Sequence, residues 1–212
     1  MELFHWIYFT LLVIVAFVGT IKYANMTTSS RVMLLLVVIT IISEILATYL
    51  KITLHSNVIV YHIFGPIEAS LIVWAFYEEF RLKIMIFIIG AIVCFGVINS
   101  FFLQSYKSLF NSYFFLADAI LATLLSLIYF YKLLHQKFFF KFTDYPMFWI
   151  SIGFVLFYVT NLVMMGTFNV LKHEEHKVLF SFFLQLRFIT NLLLYFLFLV
   201  AFLSKQCKLQ IN

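Results

Sequence analysis

Seven continuous apolar stretches, each close to the ~20 residues a helix needs to cross hydrocarbon, run through this 212-residue chain. They fall near 4–21, 32–50, 57–77, 84–103, 112–131, 147–167 and 178–203. Hydrocarbon offers no partner to a free backbone N–H or C=O, so each stretch must be a helix or a strand of a closed barrel. A barrel needs frequent turns and alternating polarity. Six Gly, two Pro and unbroken apolar runs exclude it. The expected fold is therefore all-α: one polytopic transmembrane domain over 1–212, a bundle of about seven helices. The charged fraction agrees, since 11% against the roughly 25% of a soluble domain cannot solvate a surface. Connectors between the stretches are short, which predicts antiparallel neighbours.

The net charge of +5 does not point to nucleic acid, because the basic residues sit singly in connectors and form no phosphate-tracking cluster. They are instead unequally shared between the two membrane faces. One face receives Lys22, Arg31, Arg81, Lys83, Lys132, Lys137, Lys141, Lys205 and Lys208, the other only Lys51, Lys107, Lys172 and Lys177. Cytoplasmic loops carry the excess of Lys and Arg, so the expected topology is N-terminus outside and C-terminus cytoplasmic. The start, Met1-Glu2-Leu3-Phe4-His5-Trp6, lacks the basic segment and cleavage signature of a removed signal and reads as a retained first helix. Cys94 lies mid-span and Cys207 in the tail, which indicates no disulfide framework.

Ionisable side chains inside a membrane are costly and mark functional interiors by default. Here they are Glu44, His62, Glu68, Asp118 and Arg187. At ~1.5 Å per helical residue, Glu44 lies roughly 18 Å from the inner edge of its span, and Asp118 and Arg187 roughly 9 and 14 Å below the outer edge. The amides Asn99, Asn111, Asn161, Gln185 and Asn191 fall in the outer half or near the centre, whereas the inner half is nearly all Phe, Leu, Ile and Val. Thr40, Glu44 and Thr48 repeat at i, i+4, i+8, as do Arg187, Asn191 and Tyr195, so each set shares a helix face. Tyr158 and Asn161 are i, i+3. If these stripes turn inward they form one pocket of Glu44, His62, Glu68, Asp118, Asn161, Arg187 and Asn191. The alternative is a structural polar core in which Arg187 pairs with one acid and locks helix register. Pro66, in Tyr61-His62-Ile63-Phe64-Gly65-Pro66-Ile67-Glu68, cannot donate to the carbonyl four residues back and should kink the third span, opening the backbone at His62.

Several chemistries are excluded. The last span has no mid-helix Lys for a retinal Schiff base. A zinc hydrolase would need several histidines beside a carboxylate, and only His62 is deep enough. Lys172-His173-Glu174-Glu175-His176-Lys177 has Lys where HExxH requires its second His, and reads as a solvated outer loop, with adventitious metal binding the alternative. Glu78-Glu79-Phe80-Arg81 brings its Arg too early for a membrane-protease motif and reads as an interfacial charge group. No metal and no cofactor are expected.

Four stretches carry a resemblance: Ser43-Glu44-Ile45; Tyr61-His62-Ile63 through Ile67-Glu68; Phe148-Trp149-Ile150 through Tyr158 and Asn161; and Asn191 through Tyr195. Together the chain resembles a group of uncharacterised small seven-helix bacterial inner-membrane proteins. The resemblance implies an inner (plasma) membrane location and brings no activity with it.

The function expected from these residues is a sensor or ligand-binding protein with an outward polar pocket. Its partners would be the lipid bilayer, a small-molecule ligand or proton, and a separate signalling protein. One alternative is a small proton-coupled transporter using Glu68 or Asp118, disfavoured by the apolar inner half. Another is an intramembrane acid/base enzyme acting on a lipid through His62 and a neighbouring carboxyl.

Overall fold

The computed structural model describes residues 2–107, 110–136, 141–171 and 177–207, with side chains over 6–107, 110–136, 141–164, 179 and 181–207. Among these residues the chain is all-α, with seven helices each long and apolar enough to cross a membrane and no strand. They are α1 (Glu2–Lys22), α2 (Thr28–Leu54), α3 (Val58–Phe80), α4 (Ile84–Ile98), α5 (Ser112–Leu134), α6 (Pro146–Leu171) and α7 (Lys177–Leu203). A π-helical turn, Asn99–Leu103, prolongs α4.

Most of the helices overrun the apolar stretches by a few residues, because their ends are set by capping chemistry rather than hydropathy. The Thr27 hydroxyl accepts from the Ser30 N–H at 3.2 Å and starts α2. Pro146 opens α6, where a missing N–H leaves no bond unmade. Helices α2 and α3 stop at His55 (φ 53°) and Arg81 (φ 54°), two left-handed caps that let the chain reverse within a few residues.

Neighbouring helices close a ring in the order α1, α2, α3, α5, α6, α7 and back to α1, and α4 packs outside it against α3. The α3–α4 approach is close because Gly96 leaves room for the Pro66 ring, into which a Cβ at that position would collide. Helix α3 is helical on both sides of Pro66, and the Ser70 hydroxyl donates to the Pro66 carbonyl at 2.6 Å.

The end of the ring holding the α2–α3 turn is called upper here, and the end holding the α1–α2 and α3–α4 turns lower. The lower half is filled by buried rings: Phe76 packs on Phe80, Tyr129 and Phe154, and Phe154 on Phe198. Below them the chain after α7 clamps the bundle. Gln206 accepts from the Ser30 hydroxyl at 2.8 Å and the Thr27 N–H at 3.3 Å, and the Cys207 N–H donates to the Asp144 carbonyl at 3.1 Å. Trp149 donates its indole N–H to the Thr143 carbonyl at 3.1 Å, while Trp6 and Trp74 stay exposed near helix ends, as interfacial indoles do.

Candidate functional site

Six of the seven helices, all but α4, line a cavity of about 80 Å³ in the upper half of the ring. Its charged lining comes from Glu44 on α2, Glu68 on α3 and Arg187 on α7. Hydroxyls come from Tyr8, Thr40, Tyr61, Tyr158 and Tyr195, amides from Asn161 and Asn191, and the apolar wall from Phe64, Phe115 and Phe157. These residues converge because each helix places its polar stripe on the ring side. On α7, Arg187, Asn191 and Tyr195 follow at i, i+4, i+8, with α1 and α6 packed on either flank.

The carboxylates are held from neighbouring helices. Tyr158 donates to Glu68 Oε1 at 3.2 Å, and Tyr8 reaches Glu44 Oε1 at 3.5 Å. Arg187 is different. Among the described residues no acid lies within ion-pair distance of its guanidinium, which interacts at longer range with Tyr61, Glu68, Tyr8 and Glu44. A guanidinium with five donors thus faces a void rather than a locked partner.

Of the seven residues expected in one pocket, Glu44, Glu68, Asn161, Arg187 and Asn191 line this cavity. Asp118 does not. It is buried on α5 behind Tyr158; neither of its oxygens accepts a hydrogen bond, and Tyr158 and Glu68 are its interacting neighbours. His62 turns away toward α4. Its Nδ1 lies 2.9 Å from Ser100 Oγ, whose own proton goes to the Gly96 carbonyl at 2.8 Å, so the histidine donates. The π-turn supplies that serine, and with it a second polar knot apart from the cavity. Asn99 donates to Asn111, and Asn111 to the Tyr61 carbonyl at 3.3 Å, tying α4, α5 and α3 together. Gln185 is exposed. The histidine-rich segment 172–176, and Lys137 and Lys208, lie outside the described residues, as does the side chain of His5. Among the described residues no three His, Cys, Asp or Glu side chains gather to hold a metal.

Besides His62 and Asp118, Glu79 also departs from its expected place in an interfacial charge group. Glu78 is interfacial, paired with Arg81 at 2.7 Å, but Glu79 is not. It is 3% exposed and accepts a hydrogen bond from Ser29 on α2, inside the lower end of the bundle. The lower half is therefore not purely apolar. The signal was present in the spacing: Glu79 follows Glu68 by eleven residues, three helical turns, and so shares its face. The tyrosines Tyr8 and Tyr61 were overlooked as lining because Tyr is common at membrane interfaces and one near a helix start attracts no special reading.

No known protein family, curated protein or solved structure matches the chain. The chemistry of the site rests on its own residues.

Proposed function

We propose that this protein is a multi-pass membrane sensor whose cavity binds a small polar ligand through an anionic group held by Arg187. The observation that carries the reading is the guanidinium itself. A charge inside a membrane helix ordinarily pairs with another charge or faces a water-filled cavity, and Arg187 faces a void with no carboxylate in ion-pair range among the described residues. Planar guanidinium matches carboxylate or phosphate by two parallel hydrogen bonds. Opposite it, Glu44, Glu68 and the tyrosine rings suit an ammonium or hydroxyl group on the same ligand. A cavity of about 80 Å³ is well below the ~300 Å³ of drug-sized pockets. It suits a molecule of amino-acid size.

In this reading the N-terminus is outside, the cavity opens away from the cytosol, and the membrane is a bacterial inner membrane. The Lys and Arg bias supports the orientation. Ligand drawn between Arg187 on α7 and the acids on α2 and α3 would change how those helices pack, and a separate partner protein would read the change.

The test is calorimetry on the full chain in nanodiscs against small amino acids and monocarboxylic acids. Saturable binding that disappears in Arg187→Gln is expected. Absence of saturable binding across the panel would overturn the proposal. Uptake of the bound compound into proteoliposomes would replace a sensor with a transporter.

A further inference from the structure

Below the cavity, the seam between α3, α5 and α6 carries buried polar groups that ligand binding does not use. On α3, Glu68 and Glu79 share a face about 16 Å apart. On α5, which runs parallel, Asp118, Ser126 and Tyr129 share a face over the same rise. On antiparallel α6, Tyr158 and Ser151 stand two turns apart. The upper members interact: Tyr158 donates to Glu68, and Asp118 neighbours both. So do the lower ones: Tyr129 neighbours Glu79, and Glu79 accepts from Ser29, which contacts Thr27 at 3.0 Å near the lower surface. Asp118, Ser126, Tyr129 and Ser151 are all at most 3% exposed.

Packing alone does not account for them. Both oxygens of Asp118, the Tyr129 hydroxyl and the Ser151 hydroxyl are buried without a hydrogen-bond partner. Native structures leave few such groups, and those that persist serve a function or are met by water. An α5–α6 seam built only for stability would place Phe and Ala there. Between the two acids stand Phe76 and Phe154, ring centroids 6.2 Å apart, with Phe76 also 6.3 Å from Tyr129. Apolar constrictions of this kind gate by excluding water.

We propose that this seam is a gated proton path, running from Glu68 through Tyr158 and Asp118, past Ser151 and Ser126, to Tyr129 and Glu79. The steps from Asp118 to Ser126, ~12 Å along α5, and from Tyr158 to Ser151, ~10 Å along α6, each exceed one hydrogen bond. Water entering the seam completes them whenever the Phe76–Phe154 contact opens. A proton accepted at Glu68 leaves from Glu79, each carboxyl gaining one proton and passing one on, with no other reactant. Charged and titratable groups facing the upper acid are Arg187, Glu44, Asp118, Tyr158 and Tyr195; Tyr129 faces the lower acid, with Tyr145 beside it. The path needs no cavity ligand, so it stands or falls apart from the sensor reading.

The experiment reconstitutes the full chain in liposomes loaded with a pH-sensitive dye and applies a potassium diffusion potential. Wild-type vesicles should change internal pH faster than protein-free ones. Glu79→Gln and Tyr129→Phe should each slow that flux about a hundredfold or more, the scale of losing one positioned proton-transfer group. Phe76→Ala should raise it. Tyr129→Phe removes only an unbonded hydroxyl, so its thermal unfolding should match wild type or exceed it, which separates a relay from a structural role. Wild-type flux no greater than that of protein-free vesicles, or flux unchanged in both Glu79→Gln and Tyr129→Phe, overturns the proposal.

Discussion

The Tyr158 hydroxyl on α6 reaches across the ring to Glu68 on α3, donating to Oε1 at 3.2 Å, and the same hydroxyl neighbours Asp118 on α5. One donor thus serves a region where two carboxyls meet, at the junction of cavity and seam. Removing it in Tyr158→Phe takes the donor from Glu68 and leaves that acid beside Asp118. The expected cost is about 0.5–2 kcal/mol, the range of single interhelical polar contacts in membranes, together with weaker ligand binding. Unfolding in mixed micelles measures the first and calorimetry the second. Wild-type values for both would show that the hydroxyl is incidental.

Arg187→Lys keeps the charge but not the planar fork. An ammonium on a flexible stem cannot make two parallel bonds to a carboxylate, so affinity for a carboxylate ligand should fall about tenfold or more. Recovery of full affinity in the lysine variant would mean that only charge, and no bidentate geometry, matters at the site.

The two glycines of α4 should respond oppositely. At Gly96 a Cβ would strike the Pro66 ring, which cannot rotate away, whereas at Gly90 nothing lies within 4 Å. Gly96→Ala should destabilise the α3–α4 contact by about 1–3 kcal/mol, as overpacking does, and Gly90→Ala should be neutral or slightly stabilising. Comparing their denaturation midpoints in one detergent checks the pair.

Ser29→Ala deletes the donor to buried Glu79. Taking a hydrogen-bond donor from a buried polar group costs about 1–3 kcal/mol, and a loss of that order is expected in thermal unfolding. Ser29→Thr, which keeps the hydroxyl, should restore most of it.

Reporter fusions test the topology proposed from the basic residues. A fluorescent protein that matures only in the cytoplasm, joined after Asn212, should light up, and a periplasm-dependent phosphatase at the same point should stay inactive. The reverse pattern would place the cavity on the cytoplasmic side.

Much of the cavity was legible because hydrocarbon makes polar residues conspicuous. Glu44, Glu68 and Arg187 stand out in apolar runs, and their i, i+4 companions Thr40 and Asn191 mark the inward face. Glu79 was misread because it adjoins Glu78 and Arg81 at a helix end, where charges are ordinarily solvated. Yet it follows Glu68 by three helical turns on the same face, and Ser29 on α2 donates to it inside the bundle. His62 and Asp118 were legible as buried and not as to what they meet. A stripe tells which side of a helix avoids lipid, but the hydroxyl across from it belongs to another helix.

By itself the sequence determined that the chain forms seven membrane-capable helices and which of their residues cannot face lipid, since both follow from the cost of bringing free backbone and polar groups into hydrocarbon. The tertiary structure alone decided that, among the described residues, six helices close into a ring with α4 outside, Arg187 faces a void with no acid in ion-pair range, and His62 goes to Ser100 instead of the cavity. Those outcomes depend on helix rotation and order. Rotation and order come from close packing, such as Pro66 against Gly96, and every apolar face looks alike to hydropathy until the shapes meet.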